Sequence, residues 1–340
     1  MKDRYDTLVI GAGPAGCASA IGLARLGKRV LLVDRDRFPR DKVCGGCLNP
    51  RSLAALRDLG VDPGGVPLKR LVLHAGGRRA HLPLYGGMAV SRRSLDAALV
   101  RAARDAGVEV REGMRIEPGD PVPAHTVIAA TGLATAIPGI EYRVARRSRI
   151  GAGALIEGLG AAVEPGDLHM YCARGGYVGV VRVEDHRLDV AAAIDPELVR
   201  ERGGLAQAVT GLVDDLALPI DADWRGTPLL TRTPSRLFSE RTLLVGDAAG
   251  YLEPFTGEGI AWALAGARAL APLAAEWNET TGPRWEREHA RLIRGTQRTC
   301  RALQRALRHP RLVAAAVSVL SRAPKLARPL IRAATLGRTA

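Results

Sequence analysis

Residues 7–34 read TLVIGAGPAGCASAIGLARLGKRVLLVD, and this stretch decides the fold. A short apolar run at residues 8–10 predicts a buried strand, and a second run at residues 30–33 predicts another. Between the two runs lie a glycine-rich turn and a helical segment that Gly27 ends. Strand, helix and strand form one βαβ unit, which predicts an α/β fold built on a parallel sheet.

The turn in this unit has the G-x-G-x-x-G spacing, at Gly11, Gly13 and Gly16. Gly11 permits a tight turn, Gly13 leaves room for a pyrophosphate, and Gly16 with Ala20 lets the helix lie close to the sheet. The helix N-terminus directs backbone N–H groups and a positive dipole end toward phosphates. Asp34 follows at the distance where a carboxylate accepts hydrogen bonds from a ribose hydroxyl. The stretch therefore predicts a dinucleotide site.

Length and composition are those of a globular enzyme. The chain has 340 residues, of which 47% are hydrophobic, enough for one large domain or two closely associated ones. Gly, Pro or Arg interrupts every apolar run before the ~20 residues that a membrane span needs. The N-terminal residues lack the apolar segment of a signal peptide. We therefore expect a cytoplasmic protein, with peripheral membrane contact as an open alternative.

The cysteines, the histidines and the charge distribution indicate whether disulfides, metal ions or nucleic acid are to be expected. Five scattered cysteines argue against a disulfide framework, and seven histidines lack metal-ligand spacing, so we expect no metal. The net charge of +14 raises the question of nucleic acid. Residues 284–340, however, hold 14 Lys/Arg and two acidic residues, so a net +12 lies in this tail. Because the rest is nearly neutral, we do not expect nucleic-acid binding.

The pattern along the chain predicts two interleaved domains. Strands near Leu8, Val30, Val127 and Leu243 would assemble the dinucleotide-binding sheet. A hairpin at residues 68–84, a β-rich stretch at 146–194 and a helical stretch at 196–216, broken at Gly203-Gly204, would form the second domain. The predicted boundaries are as follows: dinucleotide domain 1–67, 90–145 and 232–280; substrate domain 68–89 and 146–231; basic helical C-terminal region 283–340.

Residues 245–260, VGDAAGYLEPFTGEGI, identify the nucleotide. Asp247 can accept hydrogen bonds from sugar-alcohol hydroxyls at the end of a strand. A helix starting at Gly257 to Gly259 can stabilise negative charge on a reduced ring. NAD needs no second site of this kind, whereas a flavin with a ribityl chain does. The predicted cofactor is therefore FAD.

These motifs also carry a family resemblance. The G-x-G-x-x-G turn, Arg92 ahead of Leu95-Asp96, and the GDAAGYLEPFTGEGI stretch resemble the FAD-dependent para-hydroxybenzoate-hydroxylase-like superfamily. Within it, Lys42-Val43-Cys44-Gly45-Gly46 and the Pro254 loop look most like the geranylgeranyl reductase branch. The resemblance covers roughly residues 5–275. It implies a Rossmann-like FAD-binding domain with an inserted β-rich substrate domain and a C-terminal helical tail.

The resemblance implies a set of site residues. Those expected at the cofactor are Gly11, Gly13, Pro14, Ala15, Gly16, Asp34, Arg35, Cys44, Gly45, Arg92, Thr131, Gly132, Gly246, Asp247, Pro254, Gly257, Gly259 and Ile260. Those expected to take part in the chemistry are Cys44, Tyr177 and Pro254.

Two features depart from the branch, and two assignments stay open. The usual aromatic substrate motif, P-x-x-Y-x-W-x-F-P, corresponds here to residues 173–181, which keep only Tyr177. Where the superfamily usually carries Asp-Gly, this chain has Thr131-Gly132. Arg93 could exchange roles with Arg92. The Cys44-x-x-Cys47 pair could be inert, could donate a proton or could form a redox dithiol.

The function expected from these residues is that of an FAD-dependent oxidoreductase. A reductase would saturate a carbon–carbon double bond of a hydrophobic, isoprenoid or polyketide-like substrate, with Cys44 or Tyr177 supplying a proton. The alternative is a monooxygenase that hydroxylates an aromatic or polyketide substrate. No second nucleotide-binding motif is present, so NAD(P)H, if it is the donor, would bind transiently.

The C-terminal tail has a regular arginine pattern. Eight arginines recur every three or four residues from Arg284 to Arg308, which places them on one stripe of a helix that Pro310 ends. Three interpretations stay open: a solvated helix packed on the catalytic domain, a membrane-surface helix, or a nucleic-acid patch. A membrane-surface helix would bring the enzyme to a lipid substrate.

Overall fold

The computed structural model describes residues 5–116, 120, 124–133, 136–253 and 255–327. Its strands are β1 (Tyr5–Ile10), β2 (Val30–Asp34), β3 (Cys47–Leu48), β4 (Val66–Pro67), β5 (Arg70–Ala75), β6 (Arg78–Pro83), β7 (Met88–Ala89), β8 (Glu109–Glu112), β9 (Ala124–Ala129), β10 (Tyr142–Val144), β11 (Ile150–Ile156), β12 (Asp167–Ala173), β13 (Gly176–Arg182), β14 (Leu188–Ile194), β15 (Arg225–Leu229), β16 (Arg232–Pro234), β17 (Phe238–Ser239) and β18 (Thr242–Leu244). Its α-helices are α1 (Pro14–Arg25), α2 (Pro50–Asp58), α3 (Arg92–Asp105), α4 (Pro196–Arg202), α5 (Leu205–Thr210), α6 (Gly259–Ala275), α7 (Thr281–Ala306) and α8 (Pro310–Arg322).

The first sheet has six strands in the order β17-β18-β9-β1-β2-β8. Its strands run parallel except β17, which forms an antiparallel pair with β18 at one edge. The four strands that the sequence predicts for the dinucleotide sheet are neighbours in its centre. Because parallel strands end at the same edge, the turns after β1, β9 and β18 meet there, where α/β sheets bind ligands.

The second sheet has seven strands in the order β15-β11-β14-β13-β12-β5-β6. It is antiparallel except where β5 lies parallel to β12, with Arg70 opposite Asp167. The hairpin β5–β6 and the later strands thus form one sheet, although residues 84–149 separate them in the chain. Two small sheets, β3-β7-β4 and β10-β16, complete the strand pairing of the described residues.

Helices α1 and α6 pack face to face beside the first sheet. Gly22 of α1 permits this approach, because a Cβ there would stand 2.9 Å from the Cβ of Ala271. Ile21, Leu264 and Leu270 are fully buried in the shared core. Because α1 carries the glycine turn and α6 begins after the second flavin motif, this packing fixes the two predicted cofactor segments relative to each other.

Three helix boundaries differ from those that the pattern predicts. The helical stretch expected to reach Leu216 ends at Thr210, because Gly211 follows and the chain then runs irregularly to Asp215, which bonds to Tyr171. The last catalytic-domain helix begins at Gly259 rather than Gly257, since Gly257 has a φ of +71° that a right-handed helix excludes. The sequence predicts a short helix over residues 52–59, and helix α2 begins earlier, at Pro50, because Asn49 caps it.

The basic tail forms two helices that pack on the rest of the molecule. Trp285 of α7 is fully buried and donates from Nε1 to the Leu244 carbonyl oxygen at 2.9 Å. Leu307 and Val317 are also buried, against the second sheet. The arginine stripe of α7 faces solvent, as an amphipathic helix on the body requires. Throughout the described ranges, each helix is too short or too polar to cross a bilayer.

We predict that Trp285→Ala lowers the free energy of unfolding by about 3–5 kcal/mol, because it removes a fully buried aromatic ring and its hydrogen bond. Urea denaturation of the full chain measures this loss. The control, Leu312→Ala on the exposed side of α8, should change the value by less than about 0.5 kcal/mol. Similar values for both variants would mean that α7 is not fixed to the first sheet.

Candidate active site

The glycine turn after β1 has two positions that backbone contacts reserve for glycine. Gly11 has a φ of +102°, and a Cβ there would stand 2.4 Å from the Ala130 carbonyl oxygen. A Cβ on Gly16 would stand 1.8 Å from the carbonyl oxygen of Gly11. These two glycines therefore join α1 closely to the ends of β1 and β9, as the sequence predicts.

Gly13 differs because a Cβ there would make only ordinary van der Waals contacts. The nearest atoms to a Cβ built there are Nη2 of Arg92 at 3.5 Å and Nη2 of Arg40 at 4.0 Å. The turn at the start of α1, which carries Pro14 and Ala15, thus opens toward two guanidinium groups. This arrangement fits a pyrophosphate between backbone N–H groups and arginines.

Carboxylates hold both arginines in place. Arg92 donates from Nε and Nη2 to the two oxygens of Asp96, each at 2.8 Å, and both side chains are buried. Arg40 donates to Asp36 at 2.7 Å and lies 3.5 Å from Asp96. Burial lowers the pKa of Arg92, but Asp96 more than compensates, and the pKa lies above its usual value. Arg92 therefore stays charged beside the turn.

Arg92 and Arg93 are clearly distinguished. Arg92 points to the glycine turn, whereas Arg93 lies at 3.4 Å from Asp41 with its side chain half exposed. The structure therefore brings Arg92, and not Arg93, to the predicted phosphate position. Arg40, which the sequence reasoning missed, joins it there; its place in the polar loop after Asp34 was the only sequence signal.

Asp34 is buried at the end of β2 and accepts two backbone hydrogen bonds. These come from the N–H of Ala12 at 2.7 Å and of Asp36 at 2.9 Å. The carboxylate therefore fixes the glycine turn, and each oxygen keeps a lone pair for a further donor. Its contact with a ribose stays a prediction. Arg35 points to solvent, with its Nε 3.9 Å from Asp36.

The second flavin segment lies across the same cleft. Asp247 follows β18 in a 3₁₀ turn, and a Cβ on Gly246 would stand 2.8 Å from the Cβ of Ala15. Burial raises the pKa of Asp247, while the charges of Lys42 and Arg92 lower it. Asp247 therefore shares a charged cluster with two residues from distant parts of the chain.

Lys42 is a second residue that the sequence reasoning did not single out. Its Nζ lies 3.2 Å from the place that a Cβ on Gly132 would take. The side chain is open to solvent yet stands in a cleft, where surrounding protein and the charge of Arg92 lower its pKa. The neighbouring Thr131 Oγ1 is buried, with no hydrogen-bond partner among the described residues.

These observations together test the fit of FAD. Gly13 opens on two arginines, Thr131 offers an unpaired hydroxyl, and Asp247 and Lys42 line the far side. Such a row of donors and acceptors suits the pyrophosphate and ribityl chain of FAD, so the residues fit this cofactor. The role of each residue stays a prediction.

The loop containing Cys44 lies between the two large sheets. Val43 faces Gly153 of β11, where a Cβ would stand 3.3 Å from its side chain. A Cβ on Gly45 would stand 3.9 Å from the Cβ of Ala191 on β14. The loop also contacts the second flavin segment, since a Cβ on Gly257 would lie 3.5 Å from the Cys47 carbonyl oxygen.

Both thiols of this loop are held in the protonated form. Burial raises the pKa of Cys44, although the charge of Arg92 opposes it, and burial raises that of Cys47 further. Because thiol–disulfide exchange needs a thiolate, these shifts disfavour a redox dithiol. A protonated, half-buried Cys44 is suited to giving a proton.

Tyr177 lies in an apolar wall on the face of the second sheet that the Cys44 loop contacts. Its ring packs edge-on against Phe255 with centroids 5.0 Å apart, and the Arg149 guanidinium lies 5.5 Å from it. Burial and the charges of Glu253 and Tyr251 raise the pKa of Tyr177. Other members of the wall are Met170, Ala193, Leu230, Leu303 and Leu307.

Tyr251 packs at the edge of this wall. Burial raises the pKa of its phenol, and the nearby Asp247 and Cys44 raise it further. Arg149 is fully buried and donates to Glu253 at 3.0 Å. Gln304 of α7 donates to the same carboxylate at 3.4 Å. These contacts of Glu253 could not be predicted from the sequence, because Arg149 and Gln304 lie far from Glu253 in the chain.

The loop before α6 is tied to α2. Glu258 is buried and accepts hydrogen bonds from Arg51 and, at 3.3 Å, from Asn49. Gly259 begins the helix and Ile260 is buried behind it. Pro254, predicted to act in the chemistry, lies outside the described residues.

Comparison with known proteins bears on the cofactor and on the class of enzyme. A family model described as an FAD binding domain matches residues 4–119. The chain is an FAD-dependent oxidoreductase. It is 28% identical over 325 residues to the menaquinone reductase of Mycolicibacterium smegmatis, covering 80% of this chain and 77% of that protein. It is 27% identical over 306 residues to digeranylgeranylglycerophospholipid reductase 2 of Methanothermobacter thermautotrophicus, covering 80% and 78%.

Among solved structures, the flavin-dependent brominase Bmp2 superposes with a TM-score of 0.78 at 16% identity, over 97% of this chain and 93% of that one. A likeness at this identity speaks for the fold alone. The predicted Rossmann-like FAD fold and the predicted similarity to the geranylgeranyl reductase branch are thus confirmed.

We predict that Gly13→Asp abolishes FAD binding, since its carboxylate would occupy the pyrophosphate position and pair with Arg92 and Arg40. The purified wild-type protein should be yellow and release FAD, not FMN, on denaturation. The matched control is Gly295→Asp on the exposed side of α7, where a Cβ meets no atom within 4 Å and the backbone is helical. Full FAD occupancy in Gly13→Asp, read from flavin absorbance per chain, would contradict the site.

Proposed function

We propose that this oxidoreductase reduces a carbon–carbon double bond of a hydrophobic, isoprenoid or polyketide-like substrate. The observation that carries the proposal is Cys44, a half-buried thiol with a raised pKa in the loop between the flavin segments and the second sheet. A bound, reduced flavin supplies hydride to one carbon of an alkene. The other carbon needs a proton, and a protonated thiol is a suitable donor.

The apolar wall supports a hydrophobic substrate. Tyr177, Phe255 and Tyr251 form one apolar cluster with Leu303 and Leu307 of the C-terminal region. A wall of this composition excludes water and accommodates an apolar chain. Tyr177 is a second candidate proton donor, because its phenol is also protonated at neutral pH.

The names of the relatives point the same way. Both curated relatives described above are called reductases, and one name includes a geranylgeranyl lipid. The brominase shares the fold with a different chemistry, so the fold does not choose the reaction. We propose NAD(P)H as a transient electron donor, in keeping with the single G-x-G-x-x-G turn of the sequence.

We also propose that α8 carries the enzyme to an anionic lipid surface. On its outer side, Leu312 and Val319 are 64% and 53% exposed, with Ala315 and Ala316 between them at helical spacing. Exposed basic side chains flank the stripe, and they are Arg311, Arg322 and Lys325. Apolar insertion plus roughly 1 kcal/mol per basic residue is the usual energetics of an interfacial helix.

Cys44 variants test the reaction. Cys44→Ala removes the proton donor, so turnover of the alkene should fall strongly, by about 100-fold if Cys44 is the general acid. Cys44→Ser keeps a donor of similar size but a much higher pKa, and should lie between. Reduction of the flavin by NAD(P)H should stay near normal in both, as stopped-flow absorbance would measure.

Cys47→Ala is the matched control, because it removes the other thiol of the loop. An equal loss in both alanine variants would favour a redox pair over a proton donor. The reaction should proceed without O2. Strict dependence on O2, with consumption matching product and an unaffected Cys44→Ala, would replace the reductase by the monooxygenase.

Vesicle co-sedimentation tests the lipid contact. Binding to anionic vesicles should exceed binding to neutral ones and should weaken as salt rises, because the basic residues are screened. The double variant Leu312→Asp/Val319→Asp should bind less. Ile220→Asp, which changes an exposed residue elsewhere, is the control. Equal binding to neutral and anionic vesicles, or none to either, would disprove an electrostatic contact.

A further inference from the structure

Asp189 is a buried carboxylic acid with no partner. It is 7% exposed, and no hydrogen bond or ion pair to its carboxyl occurs among the described residues. The other buried acids among the described residues have donors; for example, Asp34 has backbone N–H groups, Asp96 has Arg92, and Glu253 has Arg149. A strand position inside a sheet would normally hold an apolar residue, so this carboxyl calls for an explanation.

Its position is next to the Cys44 loop. Asp189 lies on β14, opposite Leu155 and Val181, and faces the same side as Ala191. Its Oδ2 is 2.6 Å from the place that a Cβ on Gly46 would take, so only a glycine lets the loop lie against the carboxyl. Gly46 stands between Cys44 and Cys47 in the sequence, and a charge on Asp189 acts on both thiols.

The surroundings keep the proton on Asp189. Burial raises its pKa well above the usual value, and the charges of Glu184 and Asp41 raise it further, whereas Arg92 opposes them. Glu184 itself is held ionised by Ser91 and Ser94. Burial makes the carboxylate costly to form, so it favours the protonated acid at Asp189 over the ionised one.

We propose that Asp189 is a positioning residue of the reduction, a proton store that restores the Cys44 thiol after each turnover. This inference rests on the proposed function. When Cys44 gives its proton to the substrate carbon, its S–H bond breaks and a C–H bond forms, leaving a thiolate. No hydrogen bond joins the Asp189 carboxyl to Cys44 among the described residues, so the proton of Asp189 reaches the thiolate through an intervening water molecule. Bulk water then returns a proton to the carboxylate. The electrons of the reduction arrive with the hydride that the reduced flavin supplies.

The raised pKa of Asp189 also makes the stability of the protein depend on pH. Because the folded pKa lies above the unfolded value of about 3.9, folding favours the protonated acid. Stability from this group is complete below that unfolded pKa and is lost as the pH rises toward the folded one. Asp189→Asn keeps the size of the side chain, cannot ionise and should remove this loss.

The experiment uses the full-length flavin-loaded protein and three chains: wild type, Asp189→Asn and the control Asp167→Asn. Asp167 is equally buried on β12 of the same sheet but is bonded to Arg70. Infrared difference spectra at neutral pH should show a carboxylic-acid band that Asp189→Asn loses and Asp167→Asn keeps. Alkylation of Cys44 against pH, followed by peptide mass spectrometry, should shift to a lower midpoint in Asp189→Asn. At the alkaline pH where Cys44 ionises, Asp189 of the wild type has already lost its proton, and its negative charge opposes the thiolate.

Turnover provides the third measurement. In the wild type, alkene reduction should decline as the pH rises through the pKa of Asp189; in Asp189→Asn it should be about tenfold slower or more and should lack this decline. Reduction of the flavin by the donor should not change. An unchanged infrared band, an unchanged alkylation midpoint or an unchanged pH profile would each overturn the proposal.

Failure of the proposed function would look different. If wild-type protein reduced no alkene while the band and the alkylation midpoint behaved as expected, the reductase assignment would be wrong. The coupling of Asp189 to Cys44 would then stand as a property of the site, but its role in reduction would be overturned.

Discussion

The close approach of α1 to the end of β1 is the constraint on which the site depends. Gly16 sits so near the Gly11 carbonyl that no side chain fits, and this contact sets the direction of the helix N-terminus. Helix α6 packs on α1 through Gly22, so the loop before α6 is fixed by the same contact. Both flavin-facing segments thus take their positions from glycine positions in one helix and the turn before it.

Charge in the cleft is balanced across distant segments. Arg92, Arg40 and Lys42 lie in one cleft with Asp96 and Asp247, and these charges act on the pKa values of Arg92, Lys42 and Asp247. Arg92 and Arg40 keep carboxylate partners in the absence of a ligand, so the cleft can hold a doubly charged pyrophosphate without leaving these two cations unpaired. On the side of the Cys44 loop, burial dominates instead and keeps thiol, phenol and carboxyl neutral. One half of the site suits phosphate binding, and the other suits proton transfer.

Sequence patterns predicted those elements that depend on residues close together in the chain. The βαβ unit, the hairpin β5–β6 and the break at Gly203-Gly204 follow from periodicity and turn residues, and the structure contains them. Contacts between distant segments were beyond the sequence. Asp189 looks like any polar residue of a strand until the Cys44 loop is seen above it, and Arg149 gives no sign of Glu253. The helix expected to reach Leu216 ends at Thr210, where Gly211 follows, and Asp215 beyond it accepts a hydrogen bond from Tyr171 of a distant strand.

The parallel pairing of β5 with β12 affects how the chain must assemble. Arg70 and Asp167 are neighbours in the sheet but lie almost a hundred residues apart, and most of the first sheet is encoded between or before them. Closing so long a loop is entropically costly and makes folding slow. During synthesis, the hairpin β5–β6 therefore waits with an unpaired edge until β12 emerges. A fragment ending before β12 would leave that edge open to other chains.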